Sequence, residues 1–313
     1  MTANKRRTYL SLALGLLLLG ALIYGSGPKQ FWHIIRELKA AWWVGAFFLY
    51  LMTQLISSLR WQILLKAERI IIPLQRLVTF YFAGMFFNLF LPGLVGGDLV
   101  RGYIVYREAE KKEEAAVSVV VERLCGMGAL LTIGFVAMLI SYRVISLGPV
   151  SWALSILMGF FLGLIFLASR TSFLQLPLKL LGWLRLPRWA EAATKVHQAF
   201  RLYGGHRKAL LKAGALSFLL QTLGILVYYL LARALGLSVP IIYFFLFVPI
   251  ITAVSMIPIT FSSLGVREGI SLLLFSKIGV SAPAAITLSL AWWVNVALLS
   301  LLATPLWARK GLI

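Results

Sequence analysis

The 313-residue chain holds one cysteine, three histidines and a single aspartate. The lone Cys125 excludes an intramolecular disulfide. So few ligating side chains leave little material for a metal centre, and no metal or other cofactor is expected. Acidic residues are scarce as a class: ten Asp+Glu stand against thirty Lys+Arg, a net charge of +20. Only 13% of residues are charged and 61% are hydrophobic, where a soluble domain has about 25% charged and 45–50% apolar residues. With a mean hydropathy of +0.91, the chain is excluded from the soluble classes. On a soluble chain the basic excess would suggest nucleic acid. Here it points to anionic lipid headgroups and to basic cytoplasmic loops, with no nucleic-acid partner. GLVGGD lacks the Lys-Ser/Thr of a Walker loop, so this chain alone carries no ATP-binding signature.

What remains is an all-α polytopic membrane protein. A spanning helix needs about 20 apolar residues at ~1.5 Å each, and six segments meet that test: about 9–26, 41–65, 115–141, 149–169, 210–235 and 283–308. The first follows Lys5-Arg6-Arg7, lacks a small-x-small cleavage site and reads as a retained helix. Two further apolar stretches, 74–91 and 241–257, run into LPGLVGGDLVRGY and PITFSSLGVREG. Pro92 and Pro258 cannot donate backbone hydrogen bonds, and the nearby glycines permit non-helical turns. Irregular backbone at membrane depth survives only inside protein or beside a wet cavity. Two re-entrant hairpins are therefore expected. The nine Lys/Arg between Arg170 and Lys212, with Lys5, Arg6, Arg7, Arg309 and Lys310, put both termini on the cytoplasmic side. Residues 28–40 read as an interfacial helix with Phe31, Trp32, Ile35 and Leu38 on one side. Within 172–204, Trp189, Ala192, Val196, Phe200 and Tyr203 recur at helical spacing, as on a helix lying on the inner leaflet or packed under the bundle.

The two halves share a plan. Pro92 and Pro258 each precede an arginine by nine residues, and Arg101 and Arg267 lie 166 residues apart. The same offset carries span 41–65 onto 210–235 and span 115–141 onto 283–308. A single membrane domain follows: an N-terminal helix and interfacial segment (1–40), repeat one (41–141), a linking span with a basic cytoplasmic segment (142–206) and repeat two (207–308). The matched spans would run in opposite directions, giving an inverted repeat with a site between the halves near the midplane.

Ionisable residues in membrane segments each cost about 2.5–3.5 kcal/mol on insertion scales, so the few present are the candidate site. Asp98 precedes Arg101 by three residues, which places them on one helix face to pair, with the carboxylate at a helix N-terminus. That arrangement serves a capped hairpin turn or a phosphate ligand held beside the amides of Gly97 and its neighbours. Arg267 and Glu268 give the second half a charged turn, with Ser262 and Ser263 adding hydroxyls. Glu122 and Arg123 diverge by ~100° on their helix, so they need partners elsewhere, with Asp98, Arg101, Arg60 and Arg267 the candidates. Asn88 and Asn295 read as interhelical polar contacts, and Arg60 as a snorkelling side chain beside Trp61.

In combination, SSLRW at 57–61, FNLFLPG at 87–93, GGDLVR at 96–101, VVVERL at 119–124 and SLGVREG at 263–269 resemble the transmembrane, flippase-like domain of lysylphosphatidylglycerol synthases and its stand-alone UPF0104-type relatives. The resemblance runs from about residue 40 to 305. It departs at PITFSS, where relatives often carry a Pro-Gly-Gly-like turn. It implies an inner-membrane protein that moves lipids between leaflets, without the soluble aminoacyl-transferase domain of the fused enzymes and hence not itself an enzyme. The expectation is a translocase for an anionic phospholipid or polyprenyl-type lipid, its headgroup bound near Asn88, Gly97, Asp98, Arg101, Glu122, Arg123, Ser263, Arg267 and Glu268. The alternative is a membrane partner that presents lipid to a separate lipid-modifying enzyme. Oligomeric state is not legible.

Overall fold

The structure, a computed structural model, describes residues 28–91, 96–142, 148–169, 201–257 and 262–308, with scattered positions in 17–25 and 194–199 and at 259–260. The expected span at 9–26, most of the basic segment 170–200, and Pro92, Gly93 and Pro258 lie wholly or mainly outside these residues. The regular elements among the described residues are helical: α1 (Pro28–Arg36), α2 (Ala40–Ala67), α3 (Leu74–Asn88), α4 (Gly96–Glu108), α5 (Lys112–Ser141), α6 (Pro149–Ser169), α7 (Arg207–Ala234), α8 (Ile241–Ser255), α9 (Val266–Phe275), α10 (Ala282–Leu302) and α11 (Thr304–Ala308). Five of them, α2, α5, α6, α7 and α10, are long and apolar enough to cross a membrane. The chain is a polytopic, all-helical membrane protein.

The short helices form two hairpins. At 15 residues, α3 and α8 each rise about 22 Å at ~1.5 Å per residue, short of a ~30 Å hydrocarbon core. Arg76 at the start of α3 pairs with Glu108 at the end of α4 at 3.0 Å. Phe244 near the start of α8 meets Phe275 at the end of α9, ring centroids 5.5 Å apart. Each pair therefore goes in and returns to the same end. The tips touch: the Ser262 amide donates to the Leu91 carbonyl at 3.2 Å.

Backbone detail recurs between the halves at 167 residues. Both α2 and α7 have 28 residues. Each ends in a Schellman cap, with Ile70 donating to the Leu65 carbonyl and Leu237 to that of Ala232. The caps need a left-handed residue, supplied by Arg69 at φ 61° and Gly236 at φ 74°. Next come Pro73 and Pro240, with φ −57° in both, whose fixed dihedral starts α3 and α8. The long helices α2 and α7 pack antiparallel: the Lys39 amide meets the Ala234 carbonyl at 2.8 Å, and Arg60 meets Ser217 farther along. The helices form two quartets, α2–α5 and α7–α10, with reciprocal contacts, since α5 of the first quartet packs on α8 of the second and α10 packs on α3.

This register differs by one from the 166-residue arginine match. At 167, Glu268 stands opposite Arg101 and Ser289 opposite Glu122. The contacts follow, for Arg101 donates to Glu122 and Ser289 donates to Glu268, each across 21 residues. One residue turns a helical side chain by ~100°, so Arg101 and Arg267 face different surroundings.

Two surface expectations change in detail. Ile34 on α1 and Leu38 just after it pack on the core, while Trp32 and Ile35 face outward. The face expected from Trp32, Ile35 and Leu38 is split because α1 lies against α10. At the far end of the basic segment, Ala199 and Tyr203 are buried against Leu64, Val121 and Ala213, under the bundle. The Tyr203 hydroxyl donates to the Leu64 carbonyl at 3.2 Å.

Candidate functional site

Four elements build an ion cluster. Glu122 on α5 is almost wholly buried, with 1% of its surface exposed, and three groups donate to its carboxylate. Arg60 on α2 reaches Oε1 at 2.9 Å and Arg101 on α4 reaches Oε2 at 3.0 Å. The Tyr81 hydroxyl on α3 also donates to Oε1. Arg60 donates in addition to Ser217 Oγ at 2.7 Å, tying in α7. Arg101 bonds Asp98 Oδ1 one turn earlier, and Arg123 lies 3.1 Å from Asp98 Oδ2. The Arg101 guanidinium lies over the Tyr81 ring at 4.0 Å and over Trp61 at 5.2 Å, a placement that adds cation–π attraction. Charge-assisted bonds of this kind are the strong ones, and a buried carboxylate needs several to offset lost hydration.

Glycines make the cluster sterically possible. A Cβ on Gly84 would meet Arg101 Cγ at 2.6 Å and the Gly97 carbonyl at 2.8 Å. A Cβ on Gly97 would clash with the Gly84 carbonyl. The α3 and α4 backbones therefore close on each other where Arg101 passes, and the Gly97 amide donates to Asn88 Oδ1 at 3.0 Å.

Beside the cluster, where the hairpin tips meet, lies a cavity of about 200 Å³. Its polar wall is Asn88, Arg123, Thr252, Ser255, Ser262 and Arg267, and its aromatic wall is Tyr50, Tyr228, Trp292 and Trp293. Tyr228 and Trp292 stack at 4.3 Å and 9°, with Tyr50 edge-on to Trp292 at 5.3 Å. Arg267 is 4% exposed and donates to the Ser262 carbonyl at 3.2 Å. Among the described residues it has no ion-pair partner. Its neighbour Glu268 turns away, accepting from the Gly265 amide at 2.6 Å and Ser289 at 2.9 Å.

The tip holding Arg267 is conformationally unusual. Ser262 and Ser263 both have positive φ, 47° and 57°, a region that costs non-glycine residues of order 1–3 kcal/mol each. Local contacts hold it there. Trp293 Nε1 donates to Ser262 Oγ at 3.1 Å, and the Ser263 hydroxyl donates to the Ser255 carbonyl.

The candidate residues thus divide. Asn88, Arg123 and Arg267 line the cavity. Asp98, Arg101 and Glu122 form the cluster next to it, joined to the cavity through Arg123. Gly97, Ser263 and Glu268 shape the tips. Of the two roles the sequence offers Arg60, snorkelling side chain and partner of Glu122, it takes the second, a full member of the cluster and 6% exposed. Its signal was its position seven residues inside the end of α2, whose own terminus already carries Lys66. Sequence reasoning missed the aromatic wall.

Few ionisable groups, buried at the meeting point of two broken helix pairs, define a helical membrane protein with an internal polar site. The chain belongs to the lysylphosphatidylglycerol synthase TM region family, whose profile matches residues 9–303. It is similar to a UPF0104 membrane protein of Methanothermobacter thermautotrophicus, 24% identical over 299 residues that cover 88% of this chain and 87% of the relative. No solved structure matches.

Proposed function

We propose that the chain is a lipid translocase of the cytoplasmic membrane, with both termini cytoplasmic and its two helix quartets forming an inverted repeat. A lipid phosphate is held in the cavity between the hairpin tips. The observation that carries this reading is Arg267: a buried guanidinium, without an ion-pair partner among the described residues, facing a polar cavity. A cation at such depth is costly unless an anion joins it, and Arg123 offers a second guanidinium on the cavity lining. Family membership supports a lipid-related membrane role, and inverted repeats with broken helices are a recurring plan of transporters.

On this reading the residues divide their work. Arg267 and Arg123 bind phosphate, Asn88, Thr252 and Ser255 complete the polar wall, and the cluster about Glu122 fixes the frame on which the first hairpin sits. Glu122, held by two guanidiniums and a phenol, is a structural anion. The chain is read as a transporter and not as an enzyme.

The test is reconstitution of purified protein into liposomes carrying nitrobenzoxadiazole-labelled phosphatidylglycerol, with dithionite added outside. Translocation leaves less than half of the label protected, and protein-free vesicles keep about half. Protection equal to that of empty vesicles, with correctly folded protein, overturns the translocase reading and favours a membrane partner that presents lipid to a separate lipid-modifying enzyme.

A further inference from the structure

Among the described residues the charge around the cavity does not balance, the partly exposed Arg123 being counted with the buried groups. Arg60, Arg101, Arg123 and Arg267 supply four guanidiniums, and Asp98, Glu122 and Glu268 supply three carboxylates. The carboxylates are all engaged. Both oxygens of Glu122 and both of Asp98 face arginines. Those of Glu268 face the Gly265 amide and the Ser289 hydroxyl. Among the described residues the cavity wall contains no Asp or Glu. Its aromatic rings do not form an open cage for an ammonium either, since Tyr228 and Trp292 cover each other and Tyr50 leans on Trp292. A positive group on the ligand would meet two guanidiniums and no anion.

We infer that the cavity selects a phosphate ester of net negative charge with no ammonium in its headgroup, and that Arg267 sets this selection. The inference rests on the site of the preceding subsection but concerns which headgroup binds, not whether it crosses. A simple glycerophosphate headgroup meets the requirement. Ethanolamine and choline headgroups are neutral overall and each brings an ammonium into the cavity. A lysylated glycerol headgroup, with two ammoniums, brings more positive charge than its phosphate cancels. Arg267 outranks Arg123 as the selecting residue because Asp98 already neutralises Arg123 at 3.1 Å.

The experiment is calorimetric titration of the full-length protein in detergent with four soluble probes. Three are dihexanoyl lipids, bearing phosphoglycerol, phosphocholine and lysyl-phosphoglycerol headgroups; the fourth is sn-glycerol 3-phosphate. The phosphoglycerol lipid is expected to bind at least tenfold more tightly than the phosphocholine lipid, and the lysyl lipid more weakly than either. Arg267→Gln should weaken the phosphoglycerol lipid at least tenfold and erase the preference. Arg123→Gln, at a half-exposed side chain, should keep the order with a smaller loss, and it serves as the test should the Arg267 variant not fold. Equal binding of the three lipids, tightest binding of the lysyl lipid, or a preference unchanged by Arg267→Gln would each overturn the inference. Glycerol phosphate binding as tightly as the lipid would uphold the charge selection while removing the lipid from the preceding reading. Charge-selective binding without translocation in liposomes would likewise separate the two.

Discussion

Replacing Glu122 by glutamine removes one charge from a cluster that has none to spare. The side chain keeps its shape, so the change isolates electrostatics from packing. In the wild type, three guanidiniums share the Glu122 and Asp98 carboxylates. In Glu122→Gln they share Asp98 alone. Arg101 and Arg123 retain that partner, but Arg60 is left with the Ser217 hydroxyl and 6% exposure. Breaking a buried pair by removing one partner costs about 3–5 kcal/mol, because the remaining charge stays desolvated. At roughly 2 °C per kcal/mol for a chain of this size, the melting temperature should fall by about 6–10 °C. The assay is a fluorescence-monitored thermal melt in detergent. Glu113→Gln, on the exposed first turn of the same helix, is the control and should stay within about 0.5 kcal/mol of wild type. In a double-mutant cycle, adding Arg60→Met to Glu122→Gln should cost less than the two single losses together, with a coupling of about 0.5–3 kcal/mol. A Glu122→Gln melt within 2 °C of wild type on that ~2 °C per kcal/mol scale, or strict additivity with Arg60→Met, would refute the cluster as a framework.

Close packing gives three further expectations. Gly84→Ala places a methyl 2.6 Å from Arg101 Cγ and should destabilise by about 1–3 kcal/mol through overpacking, seen as a lower melting temperature; no change would mean that α3 and α4 do not close there. Gly134→Ala, whose Cβ would meet Pro249 Cγ at 2.9 Å, should cost a similar ~1–3 kcal/mol at the α5–α8 contact, read in the same melt. Burial pushes the Tyr203 phenol well above its ordinary value, so it remains a donor to Leu64 at all usable pH. Tyr203→Phe should therefore lose about 1 kcal/mol with no pH dependence between pH 6 and 9, checked by melts across that range.

The spanning helices were legible because length and apolarity are local properties. The observed bounds of α2, α5, α6 and α7 lie within three residues of the expected spans. The hairpins were legible as proline and glycine turns inside apolar stretches too short to cross. The last span differed: it ends at Leu302, and α11 follows after a break at Ala303. Exact register was harder. Two arginines nine residues after a proline make a conspicuous pair, yet the capped ends of α2 and α7 set the offset at 167, which sends Arg101 into the cluster and Arg267 into the cavity. The aromatic wall was hidden for a different reason. Tyr50, Tyr228, Trp292 and Trp293 sit on helices that are apolar all round, where sequence periodicity does not separate a cavity face from a lipid face. Arg60 stood among the candidate partners of Glu122, but the choice between that pairing and snorkelling needed α5 and α7 beside it.

The central claim is that a lipid headgroup occupies the cavity between the hairpin tips. It is tested most directly by photo-crosslinking purified protein in nanodiscs to a phosphatidylglycerol bearing a headgroup diazirine, followed by peptide mapping. Adducts are expected on the wall, at Ser262–Arg267, Tyr228, Trp292 and Trp293, and should be lost in Arg267→Gln. Adducts confined to outward-facing residues such as Trp152, Ile156 and Phe160, and unchanged in that variant, would contradict it.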